Sequence, residues 1–391
     1  MMHEGAPQEI IMSSSSLPIP FNRPGYTGRE IAYMQEAMQS GHLSGDGAFT
    51  KRCHAFLEER YACKKALLTS SCTDALEMAA ILCRIAPGDE VIAPSFSFVT
   101  SVNAFVLHGA RPVFADIRPD TLNLDETQVE ALITKKTRAI VAVHYAGVGC
   151  EMDALMDLAR RYQLPLIEDN AHGLDGKYRG RYLGTFGSLA TQSFHETKNI
   201  TSGEGGALLI NDASLAERAE IIREKGTDRS RFFRGQVDKY SWVDVGSSFL
   251  PSELTAAFLY AQLEALDSIQ RRRKALWLRY HDGLRDWAEK SGVGLPCVPE
   301  HCEQTYHMFY LLMPSLETRQ AFIAHLKEQG IQAVFHYLPL HLSVMGKEFG
   351  GQEGACPVTE DVSDRLVRLP FYSDMTPAEQ ERVINAILQF N

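Results

Sequence analysis

Short apolar runs alternate with helix-like stretches from about residue 27 to residue 225, and this alternation limits the fold more than any other feature of the chain. Strand-like runs fall at 66–69, 90–93, 112–115, 138–143 and 165–168. The segments between them, at 74–84, up to 106, at 125–133 and at 152–162, read as helices. Ahead of them, Thr27 is placed to cap a helix reaching Ser40, and Gly41 to end it. Two further strand candidates, 189–194 and 207–210, precede a helix-like stretch at 214–225. Short strands joined by helices describe βαβ units around a mainly parallel sheet.

A chain of 391 residues is too long for one compact core, so two domains are expected. A helical stretch from 252 to about 284, without proline, is suited to carry the chain out of the first. After it come shorter elements: strand-like 308–312, helix-like 319–329 and strand-like 332–337. The division that follows is a loose tail at 1–19, a large domain at 20–265 and a small α+β domain at 266–391.

The formal charge of −10 disfavours a non-specific nucleic-acid binder, which needs a broad basic surface. The eight cysteines are scattered, with no C-x-x-C pair and no zinc-site spacing, which suggests a reducing compartment. No apolar run reaches the roughly 18 residues of a membrane helix. The first 19 residues lack a signal-peptide core. A cytoplasmic protein with no membrane partner is expected.

In open α/β sheets, ligands bind beyond the carboxyl ends of strands. Polar and aromatic groups cluster at such ends here. Ser70, Ser71, Cys72, Thr73 and Asp74 open a helix, which makes a phosphate site or simply a cap. Phe98, in Pro94-Ser95-Phe96-Ser97-Phe98, can stack on a flat ring or pack in the core. Asp169, followed by Asn170, Ala171 and His172, can hold a protonated ring nitrogen or cap a turn. Lys198 lies in Ser193-Phe194-His195-Glu196-Thr197-Lys198-Asn199, just before Ser202-Gly203-Glu204-Gly205-Gly206. A lysine that bonds a carbonyl must approach it closely and lose its proton. His195 and Glu196 lack the second histidine of a metalloprotease helix, so no metal is expected. Together the four features suit pyridoxal 5'-phosphate (PLP), which needs a lysine, an acid, a ring partner and a phosphate cradle.

On these residues the chain resembles the sugar aminotransferases of the DegT/DnrJ/EryC1/StrS family from about Ile19 to Asn391. The resemblance implies a type I, aspartate-aminotransferase-like PLP fold: a mainly parallel sheet with flanking helices and a smaller C-terminal α+β domain. Within the family it is similar to the branch that turns TDP-4-keto-6-deoxyglucose into TDP-4-amino-4,6-dideoxygalactose for cell-surface glycans. The segments that carry this are GDGAFTKRC (45–53), VHYAGVGCEMD (143–153), SFHETKN (193–199), EKGTDRSRFFRGQVDKYSW (224–242) and VFHYLPLH (334–341).

Carried over residue by residue, the resemblance makes Lys198 the lysine that bonds PLP and moves the proton. Asp169 would pair with the ring nitrogen, Phe98 would stack on the ring, and His172 would lie on its other side. Thr73, the backbone amide of Asp74 and Ser193 would hold the phosphate. Ser248, from a partner subunit, stands where the family often has asparagine. Asn170 stands where it usually has alanine. The resemblance also implies L-glutamate as amino donor, a nucleotide-linked keto sugar as acceptor and at least a homodimer. Arg231 and Arg234, in a basic and aromatic segment, are expected to grip the substrate's diphosphate, and His336 and Tyr337 to bind substrate. The family's dehydratase branch replaces the lysine with histidine, so Lys198 argues against it. An intact lysine–aspartate pair argues against a non-catalytic PLP-binding regulator. An aminotransferase for another keto sugar or another carbon stays open.

Overall fold

The computed structural model describes residues 17–390. The expected tail therefore lies outside the described residues as far as residue 16. Ile19, at its end, is buried and its backbone bonds to Gly330 and Gln332, so the chain is already anchored there.

Thirteen strands occur among the described residues. In chain order they are β1 (Lys65–Thr69), β2 (Glu90–Pro94), β3 (Arg111–Ala115), β4 (Thr137–Val143), β5 (Leu166–Asp169), β6 (Lys177–Tyr178) and β7 (Arg181–Tyr182). They continue with β8 (Leu189–Ser193), β9 (Gly206–Ile210), β10 (Cys302–Glu303), β11 (Tyr310–Leu312), β12 (Val334–Phe335) and β13 (Leu366–Arg368). Seven of them form the central sheet in the order β1-β9-β8-β5-β4-β2-β3. Neighbours pair parallel except at β9, which runs against both β1 and β8. The expected mainly parallel sheet is present. Every residue of β5, β8 and β9 is buried, because helices cover both faces.

Register brings chemistry-bearing residues to one edge. Thr69 and Ser193 both pair with Gly206, Asp169 pairs with Thr191, and Val143 pairs with Asp169. The carboxyl ends of β1, β8, β5 and β4 thus lie side by side. The second core, in the C-terminal part, packs Ile19, Trp277, Tyr280, Phe309 and Phe322 around the three-stranded sheet β11-β13-β12.

The long helix expected at 252–284 is two helices, Glu253–Glu264 and Leu266–Ser291. Ala265 leaves helical geometry at φ −94° and ψ 0°, a conformation open to any residue. The first helix buries Ala256, Ala257 and Leu263 against the sheet, while the second buries Trp277, Tyr280 and Leu284 in the other core. The break re-aims the apolar face between two cores. No local residue announces it.

Two helices that the sequence patterning did not reveal are capped from a distance. Helix Ala48–Tyr61 starts at Gly47 with no side-chain cap of its own. The buried carboxylate of Glu253 instead accepts the amides of Gly47 (3.0 Å), Phe49 (2.8 Å) and Thr50 (3.0 Å), and the Thr50 hydroxyl. A Cβ on Gly47 would lie 2.5 Å from the Glu253 carboxyl carbon, so the approach needs glycine. Helix Pro357–Arg365 is capped likewise by buried Asp116, just past β3, which accepts from Val358 N–H (2.9 Å) and Thr359 N–H (2.8 Å). No helix among the described residues is long and apolar enough to cross a membrane.

Removing the Glu253 carboxylate strands several buried donors at once. Glu253→Ala should cost roughly 2–4 kcal/mol of stability, whereas Glu289→Ala on an exposed helix face should cost about 0.5 kcal/mol or less. Urea unfolding midpoints of the two variants check this; equal midpoints would refute the capping role.

Candidate active site

Beyond the sheet edge described above lies a cavity of about 750 Å³. The helix Cys72–Leu82 points its N-terminus at it, and residues of β12, β13 and the loop before β11 close the opposite wall. Thr73, Phe98, Asp169, His172, Ser193, Lys198, His336 and Tyr337 all line it. These eight are the sequence candidates that the fold brings together.

Lys198 sits in the turn after β8, its backbone N–H bonded to His195 O at 2.9 Å. Its amine pKa is drawn down from the usual lysine value to about 8. Burial is the main cause; Cys72 and Asp169 oppose the shift and Arg368 adds to it. An amine so placed is available as a neutral nucleophile or base near neutral pH. Asp169 ends β5 and is 5% exposed, with Oδ2 accepting from the Ser101 hydroxyl at 2.7 Å. Oδ1 accepts the Ala171 amide at 3.2 Å, so both oxygens are held and the carboxylate keeps its position in the cavity wall.

At the helix end, Ser71, Cys72, Thr73 and Ser193 line the cavity, beside the first turn whose amides have no partner within the helix. The amide of Asp74 already donates to Ser71 Oγ at 3.0 Å, and its carboxylate accepts from Ser70 Oγ at 2.7 Å. Its amide therefore serves the helix cap in this structure. Opposite, Gly206 packs tightly on the helix start: a Cβ there would lie 2.4 Å from the Ser71 carbonyl and 2.5 Å from Cys72 N. Only glycine lets β9 approach so closely.

The other wall is aromatic. His172 stacks on His307 with ring centroids 4.3 Å apart, and His307 is held by Asn199 Oδ1 at 2.9 Å. Burial above all, with the charges of Lys198 and Arg368, holds the His172 imidazole well below its ordinary pKa, so the ring is neutral. Its Nδ1 is buried without a partner, a donor or acceptor left for something in the cavity. Phe98 lines the cavity and is exposed. Tyr145 OH lies 2.9 Å from His336 Nδ1, which orients that ring.

Besides Asp74, three candidates do not line the cavity. Arg231 pairs with Glu217 (3.2 Å) and Arg234 with Glu220 (2.7 Å), and neither lines the cavity. The chain leaves the large core after helix Ala216–Arg223, and these ion pairs hold the excursion against that helix. Ser248 is exposed, bridged to Glu224, and also outside the cavity of its own chain. The polar Asn170 is fully buried, with Nδ2 donating to Leu183 O at 3.2 Å. It ties the turn after β5 to the loop before β8.

Ser101, His307 and Arg368 line the cavity but were not found by sequence reasoning. Ser101 falls within a stretch legible only as helix, and His307 reaches the site from 135 positions beyond His172 in the chain. Arg368 did leave a signal: it is the one charge in the apolar run Leu366-Val367-Arg368-Leu369-Pro370-Phe371.

The residues fit PLP. A helix N-terminus with hydroxyls suits its phosphate, Asp169 its ring nitrogen, neutral Lys198 its aldehyde, and the unpartnered His172 a ring substituent. Among the described residues no cluster suited to a metal ion occurs. The lowered pKa is testable on the protein stripped of cofactor. Only the neutral amine reacts with an acylating reagent, so modification of Lys198 should switch on as pH rises and level off above about 8. An exposed lysine would keep gaining up to about pH 10.4. Mass-spectrometric mapping of acylated Lys198 across pH 6–11 reads this, and a midpoint near 10 would refute it.

Comparison with known proteins agrees with the geometry. The chain matches the DegT/DnrJ/EryC1/StrS aminotransferase family over residues 25–388. It is 33% identical over 384 residues to the protein MJ1066 of Methanocaldococcus jannaschii, spanning 96% of this chain and 98% of that one. The aminotransferase TlmJ from Streptoalloteichus hindustanus superposes with a TM-score of 0.86 at 31% identity, over 94% of this chain and 97% of that chain. Spr1654 of Streptococcus pneumoniae, solved in its PLP form, superposes with a TM-score of 0.88 at 26% identity, over 95% and 98%. The chain belongs to the DegT/DnrJ/EryC1/StrS aminotransferase family, and so is a PLP-dependent sugar aminotransferase.

Proposed function

We propose that the enzyme moves the amino group of L-glutamate to C4 of TDP-4-keto-6-deoxyglucose, making TDP-4-amino-4,6-dideoxygalactose for cell-surface glycans. One observation carries the choice of substrate. Two segments that carry the likeness to that branch, 193–199 and 334–341, meet in the cavity wall through Ser193, His195, Lys198, His336 and Tyr337. The likeness thus includes residues that would touch the sugar. In this reading residues 20–265 carry the cofactor and residues 266–391 close the cavity.

PLP supplies a carbonyl that takes up the amine and a ring that accepts electrons from the bond being broken. The chain supplies the rest. Lys198 Nζ removes and returns the proton at the reacting carbon, and a pKa near 8 suits both directions. Asp169, steadied by Ser101, holds positive charge at the ring nitrogen. His172 and its stacked partner His307 form a neutral, flat wall of the cavity, which Phe98 also lines. Thr73 and Ser193, with the helix N-terminus, hold the phosphate.

Incubation with glutamate and a panel of keto-sugar nucleotides, with products identified by NMR, tests the substrate. The 4-amino-4,6-dideoxygalactose product from the TDP-linked 4-keto sugar is expected; preference for another sugar or carbon would refute the choice. Lys198→Ala should lower turnover by roughly a thousandfold or more with the fold intact.

The enzyme is proposed to act as a homodimer in which the 224–248 segment faces the partner's cavity. Ser248, Arg231 and Arg234 lie outside their own chain's cavity, and Phe233 and Trp242 are strongly exposed beside them. Arg231→Ala and Arg234→Ala should then raise KM for the nucleotide sugar by about ten- to a hundredfold and spare the reaction with glutamate. Mixing Lys198→Ala chains with Arg231→Ala/Arg234→Ala chains should restore sites of normal KM. No recovery in mixed dimers would place the segment outside the partner's site.

A further inference from the structure

Arg273, on the long helix Leu266–Ser291, is enclosed by protein and only 2% exposed. It does not line the cavity, and the reaction as described gives it no part. Nε donates to Tyr306 O at 2.9 Å, Nη2 to His307 O at 2.5 Å and Nη1 to Ser373 Oγ at 3.3 Å. The guanidinium also lies 4.7 Å from the Phe371 ring centroid. Burial draws its pKa down, and no carboxylate offsets this. A guanidinium stays protonated even so. A buried cation without an anion is costly to a fold, so the value of this one lies in where its bonds hold the backbone.

That backbone carries part of the cavity wall. Three successive carbonyls, of Thr305, Tyr306 and His307, accept from side chains: the first from Asn199 Nδ2 at 2.7 Å, the other two from Arg273. Tyr306 adopts φ +52°, a left-handed conformation that a tyrosine takes only when its surroundings impose it. The next residue, His307, lines the cavity and stacks on His172, with Nδ1 held by Asn199 Oδ1 at 2.9 Å. Asn199 directly follows Lys198, and its Nδ2 also donates to Gln270 Oε1 at 2.8 Å. Gln270 lies three residues before Arg273, on the same face of the helix. One helix face thus grips the 305–307 loop twice, directly through Arg273 and by way of Gln270 and Asn199. Asn199 can hold the His307 imidazole only where the backbone delivers it. That delivery falls to Arg273.

We propose that Arg273 is a positioning residue for His307: it clamps the strained 305–307 loop so that the imidazole lies flat on His172 in the cavity wall. The clamp serves the aminotransferase reaction whichever sugar is the acceptor. A planar fork reaches two successive carbonyls at once, whereas a lysine ammonium donates from a single point and methionine donates nothing. Both halves of the reaction share this wall. Loss of the clamp therefore lowers turnover with either substrate and leaves KM in place.

The test uses the holoenzyme, with R273M, R273K, H307F and the double variant R273M/H307F. In R273M, kcat should fall roughly thirtyfold in both half-reactions, with KM for each substrate within about threefold of wild type. R273K should recover part of the loss. Visible circular dichroism of the bound cofactor, which reports the asymmetry of its surroundings, should weaken in R273M and partly return in R273K. In the H307F background, R273M should change kcat by less than about threefold, because the residue it positions is already gone. Wild-type kcat and dichroism in R273M, a loss on top of H307F as large as in its absence, or a loss confined to one substrate's KM would each overturn the proposal. If R273M does not fold or load cofactor, R273K and R273K/H307F make the same comparison. If glutamate leaves the wild type unreacted, the dichroism series still decides, and only the choice of donor fails.

Discussion

One dipeptide, Glu168–Asp169, holds the architecture and the chemistry of this enzyme together. Successive residues of a strand face opposite sides of the sheet, so the two carboxylates at the end of β5 point apart. Glu168 turns into the structure, fully buried. It accepts the amides of Gly184, Phe186 and Gly187 at 2.7 Å each and meets His144 Nε2 at 2.9 Å. These bonds tie β5 to the loop that leads into β8 and to the residue that follows β4. Asp169, on the other side, faces the cavity. A carboxylate that must keep its direction in a low-dielectric cavity needs a strand end that cannot shift, and its neighbour provides that.

The same device recurs where the chain must bring distant segments together. Glu253 caps a helix that starts 205 residues earlier in the chain, and Asp116 caps one that starts 241 residues later. A buried anion is expensive unless several donors meet it, and the free amides of a helix's first turn are such donors. Each cap therefore fixes the position of a helix more firmly than apolar contact alone, which is tolerant of sliding. Through Asp116 the strand β3 is joined to the helix that leads into β13, the strand that carries Arg368 into the cavity. The Ser95 hydroxyl, 2.6 Å from His341 Nδ1, with His341 Nε2 in turn 2.9 Å from Glu360, makes a second tie at the same junction. Cavity shape depends on these ties.

Inside the cavity, burial sets the protonation states. The histidines 172, 307 and 336 are all held well below their usual pKa, so the wall is a flat, uncharged surface suited to a ring. Desolvation also brings Lys198 within reach of neutrality. Positive charge is left on Arg368. The site thus combines an apolar slot with a few fixed polar groups, the usual make-up of a small-molecule pocket.

Much of this was legible in the sequence, because periodicity and strand-end residues are local properties. The alternation of short apolar runs with helices specified a mainly parallel sheet. Polar residues just past those runs, from Thr73 to Lys198, had to gather at one edge, since parallel strands all end on the same side. Other features depended on tertiary structure. The reversal of β9 between β1 and β8 cannot be read from its five apolar residues, which would suit either direction. Helix Ala48–Tyr61 takes its cap from Glu253, and the break at Ala265 answers to a second core, so neither leaves a local mark. Ser101, His307 and Arg368 reach the cavity from three separate stretches, while Arg231 and Arg234 bend away to carboxylates on a neighbouring helix. Local sequence sets which way a residue faces along its own helix or strand; which other segment it meets is decided only when the cores pack and buried charges find their donors.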